Sequence, residues 1–270
     1  MANITENLHV ILKEKNDLKN SINAKNAGAI TDSTPFSAYP ESISAIEARS
    51  LDMSDRVVSD CLELNDYTDS VFKIVKCIKE VNIPTNVTSL SDNCFRSCSS
   101  LTGITISDSV TSLGEYCFNG CSSLMDITIP NSVTSIPKYC FNYCSRLTSV
   151  TIPDSVTSLI TWCFAYCGSL SAVTISDSVT SIGDGCFQGC SSLTCIIIPK
   201  YVTSLGKGCF AYSNNLASVT CKATTPPTLG SNAFKITHSE LVIYVPAESV
   251  DAYKSATNWS EYADKIQAIA

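Results

Sequence analysis

Cysteines recur in this chain at a fixed interval, and that interval restricts the fold more than any other feature of the sequence. Six cysteines, each followed by Phe, recur with a strict period of 23, and a second series follows four positions behind the first. The first series is Cys94, Cys117, Cys140, Cys163, Cys186 and Cys209, and the second is Cys98, Cys121, Cys144, Cys167 and Cys190. A sequence period in the twenties is typical of solenoids, in which each repeat forms one coil.

The other apolar positions keep the same interval and define a repeating unit, LxxIxIPxSVTSIxxxCFxxC. The alternation LxxIxI has the period of a strand with one buried face, and CFxxC places both thiols on one face of a short helical turn. We therefore expect one strand and one turn in each coil. About eight apolar side chains per unit cannot be buried within that unit, so the coils must stack on one another.

The interval extends beyond the obvious repeats at both ends. Counting back one full interval from Cys94 and Phe95 reaches Val71 and Phe72, so a first coil without the cysteines is expected. At the other end Ala233-Phe234 replaces Cys-Phe, with a slip of one residue. The sequence thus predicts eight strands, which at ~4.8 Å spacing give a sheet roughly 34 Å long.

Other small residues occupy the cysteine positions in some repeats, and this indicates what the cysteine side chains do. Val71 and Ala233 occupy the first position, and Val75 and Ser213 occupy the second. This favours packing as small hydrophobic residues. Disulfides stay open, because stacked coils bring equivalent Cα atoms to ~5 Å, although an odd total of 15 cysteines favours reduced thiols. A ladder does not provide the converging ligands of a zinc site, and no metal or cofactor is predicted.

The unit LxxIxIPxSVTSIxxxCFxxC resembles the BspA-like leucine-rich repeat, a bacterial class whose repeat has the same period, over roughly residues 58–246. The resemblance implies an α/β solenoid: a right-handed leucine-rich-repeat horseshoe with a parallel sheet on its concave face and short helical turns opposite. It also implies a role in adhesion and ligand recognition, generally without catalysis. Residues 221–229 and 244–254 look like the closing cap of such arrays.

The two flanks of the solenoid are expected to be helical. Residues 247–270 are predicted to form a C-terminal helical cap, since residues 259–269 echo residues 36–46. In residues 1–50 the apolar side chains follow a heptad-like spacing, interrupted by Lys15. These apolar residues are Leu8, Ile11, Leu18 and Ile22. Two interpretations are open. The segment is either a cap over the unpaired N-terminal edge of the sheet or an oligomerisation helix that gives a homo-oligomer.

The N-terminal stretches ENLHVILKEKNDLKNSINAK and DSTPFSAYPESISAI also resemble those of phage tail-fibre-like and other virion proteins. No segment approaches the ~18 consecutive apolar residues that span a bilayer, so no membrane insertion is expected. MANITENLHV lacks the basic and apolar regions of a secretory signal. We expect the protein on a bacterial cell surface or on a phage virion.

Charge and side-chain chemistry argue against two further classes of function. A net charge of -7 argues against nucleic acid as a partner, because phosphate binding needs clustered Lys and Arg. The two histidines, His9 and His238, both lie outside the repeats, so no Cys-His or Ser-His pair is expected. Acidic residues such as Asp108 and Asp154 have the positions of turn formers. The sequence therefore predicts no catalytic residues and no enzyme.

Two sets of side chains are candidates for ligand binding. One is a file of hydroxyl groups between the buried strand positions: Thr105, Thr128, Thr151 and Thr174. Threonine also suits an exposed strand for its own sake. The other is an aromatic group, Tyr139, Tyr143, Trp162 and Tyr166, which recurs at equal positions of neighbouring coils. Exposed aromatic clusters mark contact surfaces, and the alternative is that these rings only cover neighbouring side chains.

We therefore expect a non-enzymatic recognition or adhesion protein. Its repeat-built surface would bind a protein or carbohydrate ligand on a host or neighbouring cell. The alternative is a structural phage virion component, a fibre or capsid-associated protein that assembles through the N-terminal helix. Loss of assembly on removal of residues 1–50 would favour that alternative.

Overall fold

The structure is a computed structural model that describes residues 79–83 and 85–269. These residues form short strands, one α-helix and two 3-10 segments, Ala247–Ser249 and Trp259–Lys265. In chain order the strands and helix are β1 (Glu80–Asn82), β2 (Ser89–Leu90), β3 (Gly103–Thr105), β4 (Ser112–Leu113), β5 (Ser135–Ile136), β6 (Ser149–Ile152), β7 (Ser158–Leu159), β8 (Ala172–Ile175), β9 (Ser181–Ile182), β10 (Cys195–Ile198), β11 (Ser204–Leu205), β12 (Ser218–Cys221), β13 (Thr228–Leu229), β14 (Val242–Val245), α1 (Val250–Ser255) and β15 (Ile266–Ala268).

The LxxIxI segments of successive coils stack in parallel and form the first ladder. Its paired strands are β1-β3, β6-β8 and β10-β12-β14-β15. Residues 126–129 lie outside any strand but keep the alternation, with Ile127 and Ile129 buried and Thr128 exposed. The register keeps one constant interval up to β12 and lengthens by one residue between Val219 and Ile243, which confirms the predicted slip. A parallel solenoid of about eight coils, as predicted, is confirmed.

Each coil also contains a second strand, so the prediction of one strand per coil is wrong. The Ser-Leu and Ser-Ile pairs, with Thr228-Leu229 as the last pair, form two-residue parallel strands in the orders β2-β4 and β5-β7-β9-β11-β13. The Leu or Ile of each pair is buried. The preceding threonines strengthen this second ladder, since the hydroxyl groups of Thr180 and Thr203 donate to the threonine carbonyl one coil earlier at 3.2 and 3.1 Å.

The CFxxC segments form hydrogen-bonded turns in place of the predicted helical turns. We call residues 92–98 and their equivalents in each coil the turn segment. The N–H groups of Asn93, Phe95 and Ser97 donate to carbonyl groups of the next coil at 2.7–2.8 Å. In a helix these N–H groups would bond within their own segment. Here every second N–H points at the neighbouring coil, so the turn segments make a third set of inter-coil hydrogen bonds.

A stack of phenylalanine rings forms the interior, between the first ladder, the second ladder and the turn segments. The rings run in sequence from Phe95 to Phe234, with neighbouring centroids 5.2–5.7 Å apart and planes within 6° of each other. Both cysteine series and one leucine per coil, such as Leu147, are buried beside them. We name each coil after its phenylalanine, so that the Phe141 coil contains Cys140 and Cys144.

The C-terminal segment covers the last ring of this stack. Trp259 and Tyr262 lie 6.1 and 5.3 Å from Phe234, and the buried Trp259 indole donates to the carbonyl of Pro227 at 2.7 Å. The predicted helical cap over residues 247–270 is not confirmed, because only Val250–Ser255 is α-helical and Ile266–Ala268 is a strand. Pairing with the otherwise open edge of β14 overrides the local helical pattern there.

The predicted N-terminal helix lies outside the described residues. So do its proposed oligomerisation positions, Leu8, Ile11, Leu18 and Ile22, and residues 71 and 72 of the first predicted coil, whose strand is β1. The right-handed winding and horseshoe curvature implied by the resemblance stay predictions.

Candidate interaction surface

Each turn segment has two residues in the left-handed backbone conformation, one before Cys-Phe and one before the second cysteine position. Their φ angles lie between 56° and 76°. The first position holds Asn93, Tyr116, Tyr139, Trp162, Gly185, Gly208 and Asn232, and the second holds Ser97, Gly120, Tyr143, Tyr166, Gly189, Tyr212 and Ile236. We call these two series the first column and the second column. From Asn93 to Tyr212 their N–H groups donate to the next coil, as Tyr166 does to the Gln188 carbonyl at 2.7 Å.

Aromatic rings stack along both columns. In the first column the ring centroids of Tyr116 and Tyr139 lie 4.7 Å apart, and those of Tyr139 and Trp162 lie 6.0 Å apart. In the second column Tyr143 and Tyr166 lie 4.8 Å apart. Trp162 joins the two columns, with its ring 6.1 Å from that of Tyr166. The four aromatic residues singled out in the sequence therefore form one cluster with Tyr116, which we call the aromatic surface.

The aromatic surface is partly open to solvent. Tyr143 is 53% exposed, whereas the other four rings are half-buried against one another. A half-buried ring of this kind combines a fixed position with an accessible edge. Such partial exposure suits a contact surface better than a core.

Two glycines of the following coil hold the end of the cluster in place. A methyl group on Gly185 would lie 2.9 Å from Cε2 of Trp162, and one on Gly189 would lie 2.6 Å from Cδ1 of Tyr166. The absence of side chains lets both rings lie directly over the backbone. Gln188 then donates from its side-chain nitrogen to the Tyr166 hydroxyl at 3.0 Å. The rings are thus preorganised before any partner arrives.

Large side chains are unfavourable at these left-handed positions. An L-residue in this conformation costs roughly 1 kcal/mol more than glycine, and a β-branched residue such as Ile236 is a clear outlier. Glycine makes the same turn at Gly185 and Gly189 without that cost. The turn itself therefore does not require rings at Tyr139 or Tyr143. Strained conformations of this kind are concentrated at functional sites.

The Phe141 coil carries a second unfavourable feature in the turn segment that holds Tyr139 and Tyr143. Asn142 lies between Tyr139 and Tyr143, is 3% exposed, and its side-chain oxygen has no hydrogen-bond partner. A buried polar atom without a partner costs about 1–3 kcal/mol. The equivalent residues Ala165 and Ala211 avoid that cost.

Positive charges border the first column. The Arg96 guanidinium carbon lies 5.3 Å from the centroid of Tyr116, and the Lys138 ammonium nitrogen lies 5.4 Å from that of Tyr139. Arg146 is exposed three residues after Tyr143. The carboxylates of the same coils' turn segments belong to Asp92 and Glu115, and Asp92 accepts the N–H group of Glu115 at 2.7 Å.

The second column contains two apolar residues that the sequence analysis missed. Tyr212 is 44% exposed and Ile236 is 53% exposed, at the same backbone position as Tyr143. The signal was present in the sequence, since CFAYS and AFKI align with CFNYC once the slip of one residue is applied. The exposed apolar positions thus extend to the Phe234 coil.

The threonine file lies on the open face of the first ladder. Thr105, Thr128, Thr151 and Thr174 are all exposed, and Thr151 pairs in register with Thr174. Ile197 continues the file at 51% exposure. The file is flat and uncharged, and no backbone strain or unpartnered group accompanies it among the described residues. Sheet stability accounts for it as well as ligand binding does.

The buried thiols have a structural role that the sequence analysis saw only in part. All 13 described cysteines are unbridged, and Cys195 is the one of them that is exposed. In the second series the thiol donates to a phenylalanine carbonyl of the preceding coil, as Cys144 does to Phe118 at 3.2 Å. Ser213 makes the same bond at 3.0 Å. That position therefore needs a small hydrogen-bond donor as well as a small volume.

Burial keeps these thiols protonated. It raises the pKa of the Cys140, Cys167 and Cys209 thiols well above the usual range and that of Cys190 to about 12. The thiolate is the nucleophilic form of cysteine. These residues therefore act as packing and hydrogen-bonding groups, not as reactive thiols.

The described part of the chain offers little other site chemistry. In that part no three His, Cys, Asp or Glu side chains form a candidate metal site. His238 accepts the N–H group of Glu240 at 3.2 Å, and His9 lies outside the described residues. No helix of residues 79–83 and 85–269 is both long and apolar enough to cross a membrane.

Comparison with known proteins defines the family. The BspA type leucine rich repeat region matches residues 65–193 and 134–256, in six copies. These matches cover more than half of the chain, and the chain belongs to this family. No curated protein matches it.

Three solved structures of bacterial proteins are similar to the chain. A leucine rich cell surface protein from Faecalibacterium prausnitzii is 40% identical over 56% of this chain and 40% of that one, with a TM-score of 0.51. A leucine rich repeat protein of T. pallidum is 28% identical over 56% of this chain and 72% of that one, with a TM-score of 0.52. A leucine-rich repeat protein from Bacteroides ovatus is 25% identical over 72% of this chain and 55% of that one, with a TM-score of 0.51.

These comparisons bear on the two resemblances differently. The resemblance to the BspA-like repeat is confirmed by the family match. The resemblance of the N-terminal segment to phage tail-fibre-like proteins receives no support from them. The chain spans about 40% of the length of the F. prausnitzii protein.

Proposed function

We propose that this protein is a non-enzymatic recognition or adhesion protein that binds its partner through the aromatic surface. One observation carries the proposal: tyrosine and tryptophan occupy left-handed turn positions that glycine occupies in the next coil. Folding alone favours glycine there, because glycine makes the turn without strain. Large exposed aromatic side chains supply much of the binding free energy in protein interfaces.

The proposed place of display is the bacterial cell surface. The support is the family and the similarity to a leucine rich cell surface protein from F. prausnitzii. The threonine file is kept as a second candidate surface, since it is exposed over four coils. No observation on the described residues favours the alternative of a structural virion component, and the oligomerisation proposed for residues 1–50 remains untested.

The experiment is a binding assay with the full chain and matched variants. The labelled protein is titrated onto cultured animal cells and onto unrelated bacterial cells. A variant with Ser at positions 139, 143, 162 and 166 removes the rings, and a variant with Ala at positions 105, 128, 151 and 174 removes the threonine file. We expect saturable binding that the first variant loses and the second keeps.

The opposite results have defined meanings. Loss of binding in the threonine variant alone would assign recognition to the first ladder. Absence of saturable binding by the unmodified chain would contradict the proposed function. Urea unfolding curves of both variants serve as the control that each variant is folded under the assay conditions.

A further inference from the structure

We infer that the aromatic surface binds an extended, acidic segment of a protein that carries aromatic or aliphatic side chains. This inference rests on the proposed function and specifies its partner. It follows from the orientation of the rings, from the charges beside them and from the length of the two columns.

The orientation of the rings disfavours a glycan. A sugar ring packs its C–H groups on an open aromatic face, which carries negative potential. In the first column Tyr139 has Tyr116 on one face and Trp162 on the other. In the second column Tyr166 lies between Tyr143 and the backbone of Gly189. Tyr139 and Tyr166 therefore present mainly their edges and hydroxyl groups, whereas Tyr143 has a stacked ring on one face only, with Gly120 at the equivalent position of the preceding coil.

Ring edges and hydroxyl groups match the chemistry of a polypeptide. The edge of an aromatic ring is positive, so it attracts carbonyl and carboxylate oxygens and the faces of other aromatic rings. Tyrosine hydroxyl groups can donate to backbone carbonyls of an extended segment. Preorganised rings lose little conformational entropy when the segment binds.

The charges beside the rings favour an acidic segment. Arg96 and Lys138 lie over rings of the first column, and the exposed Arg146 follows Tyr143 by three residues, in a chain whose net charge is -7. The turn segments from the Phe95 coil to the Phe187 coil contain three carboxylates. Those of Asp92 and Asp184 accept backbone N–H groups at 2.7 Å, and that of Glu115 is exposed. Cations beside aromatic anchors would pair with partner carboxylates and would speed association.

The columns have the length of a short extended peptide. The path from Tyr116 to Ile236 passes through six coils, from the Phe118 coil to the Phe234 coil. It therefore includes five steps between neighbouring coils. At ~4.8 Å per step this path is about 24 Å long, which an extended segment covers with about seven residues. Tyr212 and Ile236 then offer apolar contacts beyond the glycines of the Phe187 coil.

The test is a selection from a displayed library of random 12-residue peptides against the immobilised full chain. A parallel selection is run against the variant with Ser at positions 139, 143, 162 and 166, and the two sets of peptides are compared. We expect the selected peptides to combine Asp or Glu with Phe, Tyr, Trp, Leu or Ile. Synthetic copies are then titrated by fluorescence polarisation against the unmodified chain and each variant.

Three quantitative results are expected from these titrations. The ring variant loses at least about tenfold in affinity, as for removal of interface anchors. Lys138→Gln with Arg146→Gln weakens binding severalfold and flattens its salt dependence. Tyr201→Ser removes a 58% exposed tyrosine that lies outside both columns, so it should bind like the unmodified chain and serves as the matched control.

Several outcomes would overturn the inference, and they differ from failure of the proposed function. Binding to a glycan array that the ring variant loses would leave recognition by the aromatic surface standing and would reject a peptide partner. Selection of basic peptides, or of none, would also reject it. Self-association that the ring variant loses, seen by sedimentation velocity, would make a second copy the occupant. Cell binding that survives in the ring variant would instead reject the proposed surface.

Discussion

The Phe164 coil and the Phe187 coil follow one another and share one backbone, yet they differ on the outside. Inside, both cysteines and the phenylalanine of each turn segment are fully buried, and the two phenylalanine rings stack at 5.7 Å. Outside, the left-handed positions hold Trp162 and Tyr166 in one coil and Gly185 and Gly189 in the next. Packing determines the inner side of the turn, and the outer side is free to serve another purpose.

The comparison separates the side chains that the solenoid requires for packing from those that its backbone only accommodates. The φ angle is 60° at Trp162 and 57° at Gly185, so the same conformation is adopted with and without a ring. Only the glycine adopts it without strain. The changes below alter first the inner side that the two coils share and then the outer side that distinguishes them.

The largest effect is expected inside the turn segment. Phe164→Ala and Phe187→Ala should each lower the free energy of unfolding by about 3–5 kcal/mol, because each removes a fully buried ring and leaves a cavity. The two losses should agree within about 1 kcal/mol, as both rings occupy the same stack. Urea unfolding followed by circular dichroism measures both values. A much smaller loss in one coil would show that the interiors differ.

Adding a side chain at Gly189, over which the Tyr166 ring lies, is expected to have the next largest effect. Gly189→Ala adds a methyl group 2.6 Å from Cδ1 of Tyr166 at a φ of 71°. We expect a loss of about 2 kcal/mol, from the left-handed strain and from displacement of the ring. The same change in a Tyr166→Ala background should lose only about 1 kcal/mol. Equal losses in both backgrounds would mean that the position of the Tyr166 ring does not depend on the absence of a side chain at Gly189.

Alkaline pH tests the protonated thiols inside every coil. The folded Cys190 thiol holds its proton up to a pKa of about 12, whereas the unfolded thiol loses it near 9.0. The unfolded state therefore binds fewer protons in this window, and stability falls as the pH rises from 9 towards 12. Cys190 alone should contribute a fall of about 1 kcal/mol between pH 9 and 10.

Cys190→Ser provides the control for the alkaline experiment. Serine keeps the donor, as Ser213 does in the Phe210 coil, but has no titration in this range. The fall in the free energy of unfolding between pH 9 and 10, measured with reductant present, should be smaller in this variant. An unchanged fall would show that the Cys190 thiol does not contribute to the pH dependence.

Asn142→Ala is expected to stabilise the protein. It removes the buried side-chain oxygen that lacks a partner and installs the residue that Ala165 and Ala211 supply in other coils. We expect the free energy of unfolding to rise by about 1 kcal/mol. Thermal unfolding by calorimetry measures the change, with Asn119→Ala in the neighbouring coil as the matched control. A loss of stability would show that the amide makes a needed contact.

The smallest effect is expected on the outer side. Tyr143→Gly removes a stacked, half-exposed ring but relieves the left-handed strain, so its net change should lie within about 0.5 kcal/mol. Tyr143→Ala removes the ring and keeps the strain. The Gly variant should therefore be more stable than the Ala variant by about 1 kcal/mol in urea unfolding. The reverse order would argue that the strain at this position is absent.

The sequence predicted the features that depend on repetition. The interval between the cysteines predicted stacked coils, and the alternation LxxIxI predicted which side chains are buried in the first ladder. A slip of one residue was predicted from Ala233-Phe234, because all equivalent positions of the repeat share one register. The strand pairing places the extra residue earlier, between Cys221 and Thr228. The aromatic group was predicted for the same reason, because Tyr139 and Trp162 occupy one position of the repeat.

The missed features depend on backbone conformation. The spacing of CFxxC fits a helical turn, but the segment forms left-handed turns whose N–H groups bond the next coil. The second strand is only two residues long, too short for a periodic pattern. Ile266–Ala268 has a helical pattern but pairs with the edge of β14. In each case a contact with a neighbouring coil overrides the local preference.

The sequence by itself determined the coil length, the register and the buried side of each coil, because eight or so apolar side chains per repeat can be covered only by the neighbouring repeats. Tertiary structure alone decided that rings and glycines share one left-handed conformation. It also decided that Trp162 and Tyr166 rest on Gly185 and Gly189. The reason is physical: φ angles and ring contacts arise from hydrogen bonds between successive coils, a full repeat apart along the chain, which no local pattern encodes.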